Sequence, residues 1–386
     1  METRAAHEFS MPRKIVYGEG ALGRAADIMT KMGAKALVVT DSTMVRLGNL
    51  ARVTDVLDAA GIGYVVYGEV DSEPVVSMVE EGSRRFVDEG CDFMIALGGG
   101  SPIDTMKAIA LRVESGKPVT FFMGKPYDGR ACPMVAIPTT AGTGSEATQF
   151  TIITDVESDV KMLIAGASLV PALAVVDPVF TVTAPSSVTA ATGVDALCHA
   201  IEAYTSRKAQ PLSQVFAVSA VRRILANLAV CVEDPTDIDA RAQMSLAATE
   251  AGISFNNASV TLIHGMSRPI GALFHVPHGL SNAMLMRACL AFAVEGAYGR
   301  FAELARACGA SLADDDEAAA RELLSIIDAL LVRIGIPSIC EYGIDREAFL
   351  ASMGKMAADA QASGSPANTL RGVSIEDMRD IYRSLV

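Results

Sequence analysis

Cysteine pairs are missing from this sequence. Its seven cysteines stand singly at 91, 132, 198, 231, 289, 308 and 340, with no Cys-x-x-Cys among them. Neither a disulfide framework nor a thiolate zinc site is therefore indicated, and a reducing cytoplasm is the expected location. A basic excess is missing too: 32 Lys and Arg stand against 45 Asp and Glu, a net charge of -13. Nucleic acid and anionic membranes call for a basic face, so neither is expected as a partner. Met1 to Phe9 contain no apolar leader-like stretch, and no later apolar run reaches membrane-spanning length without a charge or a glycine. The expectation is a soluble globular protein. Its 386 residues exceed what one core usually supports, and 51% apolar residues suffice for two domains.

Histidine is scarce, and its placement is uneven. Of five, His7 lies in the polar head, where exposure is expected, and the other four fall between Asp195 and His278. In the helix-forming run Gly193 to Ala203, Asp195 and His199 stand four apart and so leave one helix face a turn apart, which is metal-ligand spacing. His264 (Leu262-Ile263-His264-Gly265-Met266) and His278 (Val276-Pro277-His278-Gly279) sit in apolar settings that favour a neutral, metal-bound imidazole over a charged one. A lone histidine on an apolar face is usually a core residue; here the helical pair and the near absence of histidine elsewhere point to one site. One carboxylate and three imidazoles complete a first shell that suits ferrous iron or zinc better than magnesium, calcium or copper(I).

From residue 13 to about 180, short β-branched runs alternate with helical stretches. Ala36 to Thr40 and Phe93 to Leu97 read as buried parallel strands, with helices over 21–32, 50–60 and 75–89. This predicts an α/β nucleotide-binding domain with a parallel, Rossmann-like sheet whose ligands gather at the strand carboxyl ends. Two glycine loops fall at such ends. Gly98-Gly99-Gly100-Ser101 precedes a helix whose first turn is expected to hold Pro102 and Asp104, a cradle for a diphosphate. Pro138 to Ala147 supplies hydroxyls and amides; its Gly-x-Gly-x-x-Ala spelling is read as a decoy, because Pro138 and threonines crowd the turn. Asp41, ending an early strand, is placed to bond an adenosine ribose and to favour NAD over NADP; its plainer role is a helix N-cap before Ser42.

Beyond Asp177-Pro178, alanine-rich amphipathic segments take over at 188–205, 211–229, 238–252, 279–294, 297–308, 315–334, 346–359 and 374–385. The expected division is an α/β dinucleotide-binding domain over 1–186 and an all-helical metal-binding domain over 187–386.

Gly98 to Lys107, the Pro138 to Glu146 loop, Gly193 to Tyr204, and His264 followed fourteen residues later by His278 closely resemble the iron-containing alcohol dehydrogenases, in order and across nearly the whole chain. The resemblance implies a dehydroquinate synthase-like architecture and a homodimer, in which N-terminal strands often pair. It implies a divalent metal, usually ferrous iron, on Asp195, His199, His264 and His278. NAD would be contacted by Asp41, Gly98, Gly99, Gly100, Ser101, Thr139, Thr140, Thr143, Ser145 and Lys161, with Asp104 at the head of the same helix. Lys161 reads as a surface lysine without the family.

The implied activity is hydride transfer between a small alcohol or aldehyde and nicotinamide, the metal polarising the substrate oxygen. Many members of that family carry, four residues after the position of His264, a histidine thought to relay the proton; this chain has Arg268 there. His275 is a candidate substitute, or a structural or supporting histidine. Arg268 is a candidate clamp for an acid-substituted aldehyde or ketone, or an arginine that pairs on a helix or turns to solvent. Three other readings use the same fold: a hydroxyacid-oxoacid transhydrogenase, a lyase of the dehydroquinate synthase type, and a non-catalytic nucleotide-binding protein.

Overall fold

The computed structural model describes residues 6–158 and 160–386. Met1 to Ala5, on which the absence of a leader partly rests, and Asp159, beside Lys161, lie outside the described residues. The chain forms two compact units, Ser10–Ala184 and Pro185–Val386, the latter joined by the described part of Met1–Phe9.

The first unit runs β1 (Lys14–Tyr17), α1 (Ala21–Met29), β2 (Lys35–Val39), α2 (Ser42–Arg46), α3 (Asn49–Ala59), β3 (Gly63–Tyr67), α4 (Val76–Asp88), β4 (Phe93–Gly98), α5 (Gly100–Ser115), β5 (Met134–Pro138), β6 (Phe150–Asp155), β7 (Val160–Ala165) and β8 (Leu173–Val176). Six strands form one parallel sheet in the order β1-β8-β5-β4-β2-β3. Successive residues of β2 and β4 are apolar because both faces of the sheet are covered. Leu37, Val39, Met94 and Ala96 pack with Ile103, Met106 and Ile109 of α5, whereas Ala36, Val38, Phe93 and Ile95 pack with α1 and α3. The strand order reverses beside β4, so the carboxyl ends of β2, β4 and β5 border a topological switch point. An antiparallel pair, β6 with β7, stands apart from this sheet.

The second unit is helical: α6 (Ser186–Thr205), α7 (Pro211–Glu233), α8 (Ile238–Ala258), α9 (Leu262–Phe274), α10 (His278–Val294), α11 (Tyr298–Cys308), α12 (Asp316–Arg333), α13 (Arg346–Ala362) and α14 (Ile375–Arg383). Small residues along α6 let α7, α8 and α10 pack closely around it. Asp237, Asp315, Asp345 and Ser374 accept backbone N–H bonds and cap α8, α12, α13 and α14. Among the described residues α7 is long and apolar enough to cross a membrane; Arg222 and Arg223 interrupt it, and it packs on α6 and α8.

Helix α9 was not expected. Gly265, Pro269 and Gly271 read as breakers, yet Leu262, Ile263, Met266 and Ile270 bury a full apolar face. Proline cannot donate to the carbonyl four residues back, so packing, not propensity, holds this helix. Tyr382 contributes, its hydroxyl donating to the Met266 carbonyl at 2.6 Å.

Candidate functional site

Asp195, His199 and Glu202 follow one another on α6 at spacings of four and three, so all three leave one buried helix face. His264 enters from the first turn of α9, and His278 is the first residue of α10. Gly279 makes the α10 approach possible: a Cβ there would lie 2.7 Å from the Ala191 carbonyl oxygen and 3.3 Å from Asp195 Cβ.

The four expected ligands meet. One donor atom from each of Asp195, His199 and His264 lies within 4.8 Å of the other two. Asp195 Oδ1 is 3.5 Å from His264 Nε2 and 3.7 Å from His278 Nε2, and Asp195 Oδ2 is 4.0 Å from His199 Nδ1. The His199 ring stacks between Phe255 and His264, with centroids 4.1 and 4.3 Å away. Side-chain exposure is 2% for Asp195, 6% for His199 and 3% for His264 but 44% for His278, so the cluster opens on the His278 side.

Two residues that the sequence reading did not single out complete the cluster. Glu202 accepts from Thr261 Oγ1 and the Ile263 amide, both at 2.7 Å, and its second oxygen meets His264 Nδ1. With Nδ1 bonded to a carboxylate, the His264 proton is held there and Nε2 presents a lone pair to the cluster. Asn282, one turn beyond His278, places its amide nitrogen 2.6 Å from Asp195 Oδ1, 3.1 Å from His264 Nε2 and 3.2 Å from His278 Nε2. The signals were the helical spacings: three residues from His199 to Glu202, four from His278 to Asn282.

The chemistry of this donor set fits a divalent cation. Three electron-pair atoms face one amide nitrogen that has two hydrogens to offer, and two buried carboxylates flank the His264 ring, Asp195 at Nε2 and Glu202 at Nδ1. The His264 imidazole registers the same demand for positive charge. Burial alone would lower His264, but Glu202 and Asp195 raise it to about 9. Burial opposes the Asp195 carboxylate, yet the facing His199, His278 and His264 rings hold it well below the usual carboxylate range.

Arg268 lies within α9 and His275 caps its carboxyl end. His275 is exposed and ends α9 in the left-handed region, with φ 54°. Arg268 is half-buried and donates from Nη1 to Ser365 Oγ at 3.2 Å. Burial lowers its pKa from the ordinary guanidinium value, with the Glu202 charge opposing.

In the first unit, three strand ends assemble the nucleotide candidates. Val39 of β2 pairs with Ala96 of β4, and Gly98 pairs with Pro138 of β5, so Asp41, the Gly98 to Ser101 turn and Thr139 follow neighbouring strands. The two loops touch. A Cβ on Gly99 would lie 3.4 Å from Thr140 Oγ1, and one on Gly100 would lie 3.1 Å from Thr143 Cγ2. Gly98 has φ 154°, and a Cβ there would lie 2.5 Å from Pro102 Cγ. The α5 N-terminus begins at Gly100, so its first-turn amides are available to an anion.

Other candidates have structural commitments. Asp104 is the fifth residue of α5 rather than part of its first turn; it accepts from Ser145 Oγ at 3.1 Å and the Ile152 amide at 3.0 Å, tying the second loop to the helix. Beneath it, burial pulls the Lys107 ammonium down to about 8 while Asp104 and Glu146 oppose. Asp41 caps α2 through the Met44 amide at 2.9 Å. Lys161 is exposed and pairs with Glu73 at 2.6 Å. Ser145–Ala147 is a short 3-10 turn, not the helix that the Gly-x-Gly-x-x-Ala fingerprint requires, which accords with reading that motif as a decoy.

Two family models match in tandem: the iron-containing alcohol dehydrogenase model over residues 12–178, and the C-terminal model of the Fe-containing alcohol dehydrogenase family over residues 189–386. The chain belongs to the iron-containing alcohol dehydrogenase family. It is 36% identical over 343 residues to the NAD-dependent methanol dehydrogenase of Bacillus methanolicus, covering 88% of this chain and 90% of that one. With the lactaldehyde reductase of Escherichia coli (strain K12) it shares 35% identity over 376 residues, 95% of this chain and 96% of the relative. Among solved structures, a 1,3-propanediol oxidoreductase superposes with a TM-score of 0.95 at 30% identity, covering 99% of this chain and 100% of that chain. This iron-containing alcohol dehydrogenase is therefore an oxidoreductase acting on the alcohol/aldehyde couple.

Proposed function

We propose that the protein is an NAD-linked, ferrous-iron-dependent alcohol dehydrogenase or aldehyde reductase, working as a cytoplasmic homodimer on a small alcohol or aldehyde. The observation that carries this reading is the convergence of Asp195, His199 and His264 within 4.8 Å, with His278 facing the same carboxylate. When bound, iron supplies Lewis acidity toward the substrate oxygen and NAD accepts or delivers the hydride.

The chain's own residues do the positioning. Asp195, His199, His264 and His278 hold the ion; Glu202 keeps the His264 proton on Nδ1, and Asn282 fixes the bearing of Asp195 and both outer rings. Gly98 to Ser101 and the α5 N-terminus hold the diphosphate, with Thr139, Thr140 and Thr143 beside them. Asp41 retains one carboxylate oxygen beyond the cap for a ribose hydroxyl. Arginine stays protonated, so Arg268 is no proton relay; His275, exposed at the end of α9, takes that role.

The test is anaerobic reconstitution with ferrous iron or zinc, followed by NADH formation at 340 nm over a panel of primary alcohols. Steady, iron-dependent NADH release is expected. Turnover only when an alcohol and an oxoacid are supplied together would point to a transhydrogenase instead. No bound metal and no turnover in a folded preparation would overturn the reading. Light scattering on the purified protein tests the dimer.

A further inference from the structure

Most arginines on the helices of the second unit meet an acid: Arg223 meets Glu250, Arg333 meets Glu233 and Arg300 meets Glu303. Arg268 does not. Its guanidinium is half-buried and its hydrogen-bond partner among the described residues is the neutral Ser365 hydroxyl, with no carboxylate in ion-pair reach. Five N–H donors therefore share one protein acceptor among the described residues. An arginine that merely braced a helix would find a carboxylate or carbonyls; one that turned to solvent would be exposed. Arg241, a fully buried arginine of the same unit, bonds the Pro235 carbonyl and Thr189 Oγ1 and leaves Nη2 without a partner.

Position decides what the missing partner is. Arg268 follows His264 by four residues on α9, so it leaves the same helix face one turn on from a metal-ligand candidate. A divalent ion on that cluster would raise the cost of a second buried cation nearby, so the site calls for an anion when it is loaded.

We propose that Arg268 receives an acid group on the substrate, so that the enzyme acts on a short aldehyde or ketone bearing a carboxylate, sulfonate or phosphonate. The planar guanidinium fork matches two oxygens of any of these groups, which an ammonium or a hydroxyl cannot do. This inference rests on the alcohol dehydrogenase reading above and narrows its substrate class. Fixing the acid end at Arg268 leaves the carbonyl end for the ion, and selects against plain alkanals because they leave the guanidinium unpaired.

The test compares succinic semialdehyde and sulfoacetaldehyde with butanal and propanal in the iron-loaded wild type, Arg268→Met and Arg268→Lys. Wild type is expected to favour the acids in kcat/KM. Arg268→Met should lose about 10- to 100-fold on the acids and change less than threefold on the alkanals, with the KM for NADH unchanged. Arg268→Lys, which keeps charge but not the fork, should recover part of the loss. Propane-1-sulfonate titrated calorimetrically into the metal-free protein gives a reading independent of turnover: it should bind wild type and not Arg268→Met. Because that variant removes a half-buried charge that has no ion-pair partner, its melting temperature should hold or rise. Equal losses on both substrate classes, a raised KM for NADH, or sulfonate binding indifferent to residue 268 would overturn the proposal. If no alcohol or aldehyde is turned over, the functional reading falls and the sulfonate titration alone decides this one.

Discussion

Replacing Glu202 by glutamine alters one atom and sets a choice that the site cannot resolve. One carboxylate oxygen accepts from Thr261 Oγ1 and the Ile263 amide, and the other meets His264 Nδ1. If the new NH2 group faces His264, Nδ1 must become an acceptor; the ring proton moves to Nε2, and the lone pair aimed at the ion is lost. If the NH2 group faces Ile263, a buried backbone donor is left without a partner, at a cost of about 1–3 kcal/mol. Either arrangement weakens the cluster. Removing a carboxylate that orients a ligating histidine lowers metal affinity by about 10- to 100-fold, or roughly 1.4–2.8 kcal/mol. Anaerobic competition for ferrous iron against a chelator of known affinity measures this directly, with calorimetric melting of the metal-free protein alongside. A Glu202→Gln protein that binds iron within threefold of wild type and melts at the same temperature would refute the argument that this carboxylate sets the His264 tautomer.

Lys107 gives a pH test. Burial lowers its pKa from 10.5 to about 8, so the fold is penalised while the ammonium is charged. The penalty is full below pH 8 and lifts as pH rises to 10.5, so denaturant titrations should show wild type gaining on Lys107→Met across that window by on the order of 3 kcal/mol. Gly98→Ala forces a Cβ to 2.5 Å from Pro102 Cγ at φ 154°; a stability loss of about 1–3 kcal/mol and weaker NAD binding by fluorescence titration are expected. Asp41→Asn separates capping from recognition, since asparagine caps as well as aspartate: unfolding should be unchanged within about 0.5 kcal/mol, while the ratio of kcat/KM for NAD over NADP should fall.

How far the sequence revealed the molecule depended on whether the signal was local. The parallel strands were legible because continuous apolar runs such as Phe93 to Leu97 ended in glycine, and the Asp195–His199 pair because helical spacing is a rule of geometry. Helix α9 was hidden because its breakers, Gly265, Pro269 and Gly271, are local, while what holds it, burial of Met266 and Ile270 and the Tyr382 bond, is tertiary. The β6 and β7 pair was passed over in the shadow of the louder glycine motif just before it, Pro138 to Ala147. Glu202 looked like one more polar residue on an amphipathic helix; its part is visible only once α9 brings His264 and Ile263 onto it. Asp104 and Lys161 carried nucleotide expectations, but their contacts were set by partners far off in sequence, Ile152 for one and Glu73 for the other.

The ligand cluster is also lopsided in rigidity. Asp195 and His199 sit mid-helix on α6, and His264 is pinned by Glu202, whereas His278 stands at the first position of its helix with nearly half its side chain in solvent. A captured ion would thus be shielded by three buried side chains and approached from solvent on the side of the fourth, His278. Loading, leakage and theft by chelators would all pass through that one solvent-facing door, so their rates would answer to what covers His278.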